Sequence, residues 1–234
     1  MGKRIIRTRE IRTSKPTIIG EGEETEYRYF KHLCSFTKTS AEVLSSNFGP
    51  NVLRAFERRI KAILDKNGSV VVVFDTDVTE SDMAKRQRMQ ALKEKYRDHK
   101  DVLICDSYPC IEYWFLLHFK GEETNRKLSS SEIVDILRGP DDNNDNRKKT
   151  NKKKEKEEEK KKLIPGYCKN GPWVKKDKWV KDLRKDGKEQ IACQNAYKYR
   201  EGGALYEKGR SYTNIYKFFE RYLPELLEEY LLKK

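Results

Sequence analysis

The chain is constrained most by a run of five apolar residues, Val70–Phe74, which ends in two alternate aspartates, Asp75 and Asp77. Because successive side chains of a strand point to opposite faces, a strand that is apolar throughout must be covered on both faces. Helical layers on either side of a parallel sheet provide that cover. The run therefore predicts a central strand of an α/β protein.

An acidic turn elsewhere in the chain is expected to meet the end of that strand. Gly20–Gly22, with Glu21 at its centre, follows a short apolar strand at Thr17–Ile19. Ligands of open α/β sheets bind at the carboxyl ends of the strands. If the two strands are neighbours, Glu21, Asp75 and Asp77 converge there, and three repelling carboxylates call for Mg²⁺ or Mn²⁺. The alternative is that these acids only cap turns, which we would favour for a single aspartate but not for this combination.

The remaining patterns predict alternating strands and helices. Apolar residues recur at helical spacing over 24–36, and a clearer stripe follows Pro50. Short strands are expected at 41–46 and 102–105, and Thr79 or Ser81 is expected to cap a helix between the central strand and the last of these. This order predicts a parallel sheet with right-handed crossovers.

Four regions are expected along the chain. They are a basic arm at 1–15, an α/β core at 16–138, a charged low-complexity loop at 139–162 and a mainly helical region at 163–234 packed on the core. Lysine and glutamate blocks without an apolar side chain cannot bury surface, so the loop is expected to stay solvated. In the last region, helices are predicted at 191–199 and 213–223, with a further helix beginning at Pro224.

The charge of the chain fits a polyanionic partner such as nucleic acid, although a basic surface alone does not establish one. The net charge is +13, and residues 163–234 carry 16 basic against 10 acidic side chains. Four aromatic residues of this region are available to stack on bases, although we expect most of them to lie in the core. These are Trp173, Trp179, Tyr197 and Tyr199.

Cysteine usage and hydropathy bear on the cellular compartment. The five cysteines are odd in number, form no Cys-x-x-Cys pair and lie outside zinc-ligand spacing of the histidines, so we expect buried reduced thiols. There is no transmembrane run, and the basic N-terminus lacks the apolar core of a signal peptide. We therefore expect a cytoplasmic protein without a membrane partner, for which a homo-oligomer remains open.

One further acid lies in an otherwise apolar helix. The run 111–119 is apolar nearly all round and predicts a buried helix, with Glu112 in its first turn. Its carboxylate could complement the helix dipole. Alternatively, it could face the same cleft as Asp75 and Asp77. The residue chemistry leaves both options open.

Three stretches resemble RloB-like proteins, and the Glu-Gly turn with the later Asp-x-Asp resembles the Toprim domain of primases, topoisomerases and OLD-type nucleases. Gly20–Phe30 is similar to the family's "EGxxTExxYF" opening, and Ser107–Phe119 to its "SNPCFExWLLLHF" signature. Ser211–Lys217 resembles its "SxxTNVYxL" element. The chain departs from the pattern at Tyr108, where the family usually has asparagine.

The resemblance implies a Toprim-like parallel sheet flanked by helices, Mg²⁺-dependent phosphodiester chemistry and a role in phage defence by abortive infection. It also implies an ATPase partner of the ABC or AAA type. Glu21 matches the Toprim glutamate, and Asp75 and Asp77 match the aspartate pair. Further candidates at matching positions are the acids Glu26 and Glu112, which would complete a second metal site, and Lys169 of a Tyr-x-Lys motif.

The leading hypothesis is a metal-dependent nuclease that hydrolyses RNA, with transfer RNA as one candidate, or DNA. Asp75 and Asp77 would bind Mg²⁺, and Glu21 would bind metal or accept a proton from the attacking water. Two cations about 4 Å apart can stabilise both the attacking and the leaving oxygen. Lys169 would offset the charge that develops on the phosphate.

Two other classes of function compete with this hypothesis. The first is a non-catalytic Toprim-like binding or sensor module that works with a partner ATPase. The second is a nucleotide-binding Rossmann enzyme, since Gly20–Gly22 begins like a Gly-x-Gly-x-x-Gly loop. Thr25 stands where the third glycine should be, and the three glutamates around the loop would repel a pyrophosphate, so we disfavour it.

Overall fold

The structure, a computed structural model, describes residues 15–45, 52–76, 82–139, 163–169, 172–200 and 209–227. These residues form an α/β protein around one five-stranded sheet with the strand order β2-β1-β3-β4-β5. The strands are β1 (Thr17–Gly20), β2 (Glu42–Leu44), β3 (Val70–Asp75), β4 (Val102–Tyr108) and β5 (Tyr212–Thr213). The first four are parallel and β5 runs antiparallel to β4, which confirms the expected fold class and is consistent with a Toprim-like fold.

Helices cover both faces of this sheet. They are α1 (Thr25–Thr37), α2 (Val52–Leu64), α3 (Met83–Tyr96), α4 (Glu112–Leu116), α5 (Ser130–Arg138), α6 (Pro172–Lys175), α7 (Lys178–Arg184), α8 (Lys188–Lys198) and α9 (Tyr216–Tyr222). Short 3-10 turns lie at Glu122–Thr124, Lys185–Gly187 and Pro224–Leu226. The cap of α3 is Asp82, whose carboxylate accepts a hydrogen bond from the Lys85 amide at 2.9 Å, rather than Thr79 or Ser81.

The central strand separates two apolar clusters, as its all-apolar sequence predicts. Every side chain of Val70–Phe74 is at most 1 % exposed. Val71 and Val73 face a large cluster with α1, α4 and the C-terminal helices. Val70, Val72 and Phe74 face a smaller one with α2 and α3. Both faces of β3 are therefore covered by other parts of the chain, as a central strand of a parallel α/β sheet requires.

The C-terminal region contributes a strand as well as helices. A helix was expected to begin at Thr213, but Thr213 belongs to β5 and α9 begins only at Tyr216. The Thr213 and Ser107 hydroxyls lie 2.8 Å apart, and the Asn214 amide donates to the Asp106 carbonyl at 2.8 Å. Pairing with β4 overrides the local helical pattern here, because residues distant in sequence satisfy the backbone groups.

Several expectations are corrected or fall on residues that the structure does not describe. Cys168 is exposed, whereas the other four cysteines are buried as expected, and all five are free thiols. Trp179 and Tyr199 are each 3 % exposed, so neither ring is available to stack on a base. No described helix is long and apolar enough to cross a membrane. The arm at 1–14, residues 46–51, Asp77 and the insert at 140–162 lie outside the described residues.

Candidate functional site

The acidic turn after β1 meets the end of β3, because these strands are paired in register from Thr17 with Val70 to Gly20 with Val73. The Glu21 amide donates to the Val73 carbonyl at 3.1 Å. In return, the Asp75 amide donates to the Glu21 carboxylate at 3.2 Å. The turn is thus fastened to the carboxyl edge of the sheet, with its carboxylate beside Asp75.

Asp75 is held by the chain that leads into α4. Its Oδ1 atom accepts a hydrogen bond from the Ile111 amide at 2.8 Å, and its side chain is 14 % exposed. Burial raises the pKa of this carboxyl well above its usual range, the nearby Glu26 raises it further, and Lys169 acts in the opposite direction. Asp75 is therefore an acid whose surroundings favour the protonated form.

Glu112 faces the cleft that contains Asp75, which answers the question that the sequence left open. Its side chain is fully buried. One carboxylate oxygen accepts a hydrogen bond from the Tyr167 hydroxyl at 2.7 Å, and the other accepts one from the Lys169 ammonium at 3.3 Å. The same ammonium lies 3.8 Å from Asp75 Oδ2, so Lys169 bridges the two acids.

Glu26 lies in the first turn of α1 against bare backbone. The side chain is 7 % exposed, and burial, together with Glu112, raises its pKa to about 7. A β-carbon built on Gly22 would lie 2.8 Å from the Glu26 Oε2 atom, and one on Gly20 would lie 3.1 Å from the Glu26 β-carbon. A side chain at either position would push against Glu26, so the two glycines let the turn lie this close to it.

Lys169 is positioned by both its backbone and its side chain. Its carbonyl accepts a hydrogen bond from the Thr25 hydroxyl at 2.8 Å, which joins this segment to the start of α1. Burial alone would lower the pKa of the ammonium, but the carboxylates of Glu112 and Asp75 outweigh burial and raise it. Lys169 therefore stays charged over the physiological range and offers a fixed positive charge in the cleft.

Tyr167 is the site residue that the sequence reasoning did not select. It is 1 % exposed, and burial with the adjacent Glu112 raises the pKa of its hydroxyl. The neutral hydroxyl is therefore a hydrogen-bond donor that orients Glu112. The Tyr-x-Lys pattern contained the signal, because a tyrosine two residues before the candidate lysine can reach the same carboxylate.

The oxygen donors in the described part of the cleft are the carboxylates of Glu21, Glu26, Asp75 and Glu112. Within the described ranges, no three His, Cys, Asp or Glu side chains are arranged to hold a metal ion, and Asp77 lies outside those ranges. The chemistry of the donors nevertheless fits Mg²⁺ or Mn²⁺, which prefer oxygen ligands. The carboxyl pKa values of Glu26 and Asp75 are raised, so both groups favour binding a proton. A bound cation would take the place of these protons. A cation between Asp75 and Glu112 would have to displace the Lys169 ammonium.

The described site therefore brings together five of the six predicted residues from four separate segments. These are Glu21, Glu26, Asp75, Glu112 and Lys169. The fold and this site define an α/β protein with a mostly parallel sheet, at whose carboxyl edge lie a cluster of buried and half-buried acids and one lysine.

Comparison with protein families agrees with that class. The family model described as RloB-like protein matches residues 17–221, which is most of the chain, so the chain belongs to the RloB-like family. The matched region includes all five of these site residues. No curated protein and no solved structure matches the chain.

Proposed function

We propose that the protein is a metal-dependent nuclease that hydrolyses phosphodiester bonds of RNA or DNA in the cytoplasm, as part of anti-phage defence. The single observation that carries the proposal is the convergence of Glu21, Glu26, Asp75 and Glu112 on one cleft with Lys169. A cluster with more acids than bases lowers the stability of a folded chain. Acids with strongly shifted pKa values in a cleft are typical of active sites. Phosphodiester hydrolysis uses both parts of this set, the oxygen ligands and the cation.

Each residue has a role that follows from its contacts. Mg²⁺, when bound, would polarise the phosphate and activate a water molecule. Glu21 and Asp75 would hold it, with Asp75 oriented by the Ile111 amide. Lys169 would leave its carboxylate partners in part and stabilise negative charge on the phosphate oxygens. Glu112, fixed by Tyr167, would keep the Lys169 ammonium within reach.

Glu26 adds a group that can exchange protons near neutral pH. A carboxyl with a pKa of about 7 is matched to proton transfer at physiological pH, which makes it a candidate to accept a proton from water or to bind a second cation. The approach of Gly20 and Gly22 limits how far this side chain can move toward the turn. These two observations support a role for Glu26 in the proposed reaction.

The test is cleavage by the double variant Asp75→Asn with Asp77→Asn. Purified protein is incubated with total RNA, plasmid DNA and single-stranded DNA in the presence of Mg²⁺ or Mn²⁺. Loss of both carboxylates is expected to lower the cleavage rate by at least about a hundredfold, on the order of 3 kcal/mol of barrier. A matched control removes two exposed aspartates, Asp65→Asn with Asp98→Asn, and should cleave as the wild type does. Cleavage that survives in the cleft variant would exclude this mechanism.

A second candidate function is a non-catalytic module that works with a partner ATPase. The bridge from Lys169 to Asp75 and Glu112 favours it, because it neutralises part of the acidic charge without a metal ion. In that case the wild type would cleave none of the three nucleic acids and would co-purify with an ATPase. Mg²⁺-stimulated cleavage that the cleft variant lacks would exclude this candidate.

A further inference from the structure

A cavity of about 660 Å³ opens away from the acidic cleft, between α3, β4 and the start of α9. Val102, Ile104 and Asp106 of β4 line it from the α3 face of the sheet, and Leu103 and Tyr216 line it from the cluster on the other face, so the cavity lies along the edge of β4. None of the described acids of the cleft lines it, and neither does Lys169. Ligand-binding pockets typically have volumes of about 300–1,000 Å³, so the cavity has room for a small organic ligand.

The acidic residue in the cavity wall is already neutralised within the protein. Asp106 is 1 % exposed and accepts hydrogen bonds from the Tyr212 hydroxyl at 2.9 Å and the Asn214 amide at 2.8 Å. Its Oδ2 atom also lies 2.9 Å from the Lys93 ammonium. Lys93 and Asp106 therefore cancel as charges, and neither attracts a ligand ion strongly.

Three further cations line the same cavity, and none of them is tied to Asp106. Arg97 pairs with Glu94, but both side chains are more than half exposed, so this pair contributes little energy. The Arg200 guanidinium lies 3.9 Å from the centre of the Tyr197 ring and donates to the Tyr197 carbonyl at 2.6 Å, so it is held in place, and it forms no ion pair with an acid in the described part of the chain. Lys217 forms no ion pair with an acid of the described ranges.

The cavity thus combines a cationic rim with an apolar floor. The floor is the β4 segment Val102–Ile104, and two tyrosine rings, Tyr96 and Tyr216, complete the wall. Inorganic phosphate would use only the rim, and an apolar ligand would use only the floor. A nucleotide unit uses both, since its phosphate matches guanidinium and ammonium groups while its base and sugar bury apolar surface.

We propose that this cavity binds a nucleotide unit, with its phosphate on Arg97, Arg200 and Lys217 and its base or sugar against the floor of β4. The same chemistry is presented by a free nucleotide and by one residue of a single-stranded RNA. The proposal does not depend on cleavage at the acidic cleft, because none of the five described residues of that cleft lines the cavity.

The test measures binding with cleavage disabled. In an Asp75→Asn background with EDTA, three probes are titrated: inorganic phosphate, adenosine 5′-monophosphate and a fluorescent single-stranded oligonucleotide of RNA. The cavity variant combines Arg97→Gln, Arg200→Gln and Lys217→Gln. A control with the same loss of charge combines three exposed changes on α2, Arg58→Gln, Arg59→Gln and Lys61→Gln. Thermal unfolding of both variants verifies that they are folded.

The cavity variant is expected to bind the monophosphate or the RNA at least about tenfold more weakly, whereas the control changes by less than about threefold. Loss of monophosphate binding would identify a free-nucleotide site, and loss of RNA binding alone would identify a site for a strand. Equal binding by the two variants would overturn the proposal. So would inorganic phosphate that binds as tightly as the monophosphate, because the floor would then contribute nothing. A nuclease test that fails leaves all these outcomes unchanged.

Discussion

The fold treats the buried acid Asp106 very differently from the group of acids at the neighbouring carboxyl edge of the sheet. Asp106, on β4, is surrounded by donors: a lysine, a tyrosine hydroxyl and an asparagine amide all point at its two oxygens. At the carboxyl edge, the acids Glu26, Asp75 and Glu112 interact with the single ammonium of Lys169. The negative charge of Asp106 is balanced by groups of the protein, whereas the charge of the acids at the carboxyl edge is balanced only in part.

The difference separates acids that hold the fold together from acids that are available for chemistry. A buried carboxylate with all its hydrogen bonds made fixes two elements against each other, here α3 and the β5 strand. Burial raises the carboxyl pKa values of Glu26 and Asp75, repulsion between the neighbouring acids raises them further, and both effects cost stability when the groups are ionised. Clusters of acids that lower stability in this way are typical of sites where a ligand or a reaction uses them.

The largest expected effect on stability comes from an isosteric change at Asp106, whose charge is balanced inside the protein. Asp106→Asn removes the charge that Lys93 faces and turns an amide donor toward other donors, so we expect a loss of about 3 kcal/mol in the free energy of unfolding. Asp75→Asn should change it by less than about 1 kcal/mol, because the Ile111 amide keeps an acceptor and the repulsion between acids falls. Urea denaturation at pH 7 measures both. Equal losses would contradict the comparison.

A smaller effect is expected from Glu26, and it depends on pH. Because the carboxyl pKa of about 7 in the folded protein exceeds the ordinary 4.5, the folded state binds the proton more tightly, and stability falls as pH rises from 4.5 to 7. Glu26→Gln has no such loss and should be about 2 kcal/mol more stable than the wild type at pH 8, with no difference near pH 4.5. Denaturation midpoints across this range measure it, and excess Mg²⁺ should stabilise the wild type more than the variant.

The control for this effect is Glu225→Gln, at an exposed carboxylate outside the cleft. Its stability should follow the wild-type pH profile. A Glu26→Gln profile that also runs parallel to the wild type would mean that Glu26 is not protonated in the folded protein near neutral pH.

The smallest expected effect concerns competition between Lys169 and a divalent cation. Lys169→Gln removes the charge 3.8 Å from Asp75 Oδ2, so the acids should bind Mg²⁺ roughly three- to tenfold more tightly while cleavage falls. Calorimetric titration with Mg²⁺ measures the affinity. Lys185→Gln, which breaks a surface pair with Asp182, should leave it unchanged. Weaker Mg²⁺ binding in Lys169→Gln would mean that the lysine helps to build the metal site.

The sequence predicts the sheet and the acidic edge because both depend on local patterns. A strand that is apolar on both faces must be central, and a turn after a paired strand must lie at the same edge as the end of its neighbour. If the two strands are neighbours, these two rules place Glu21 beside Asp75, and the structure supplies that pairing of β1 with β3. The family resemblance added Glu26 and Lys169, which no spacing rule selects, and it supported Glu112, for which the residue chemistry had left two options open.

The parts that the sequence did not predict depend on contacts between distant residues. The β5 strand has only two residues, and its pairing partner Ser107 lies about a hundred residues earlier, so no periodicity identifies it. The Asp106 network is invisible for the same reason, since Lys93, Tyr212 and Asn214 come from separate elements. The direction in which Glu112 points was likewise decided by Tyr167 and Lys169, more than fifty residues away.

The register of β4 against β3 places two adjacent residues of β4 on opposite faces of the sheet. Asp106 and Ser107 point to opposite faces, the first toward Lys93 and the second toward the face of Asp75. Sliding the strand by a single residue would exchange them, as the twofold repeat of a strand dictates. An extra negative group would then crowd Asp75 while Lys93 lost its partner, so an alignment error of one step would damage both faces simultaneously.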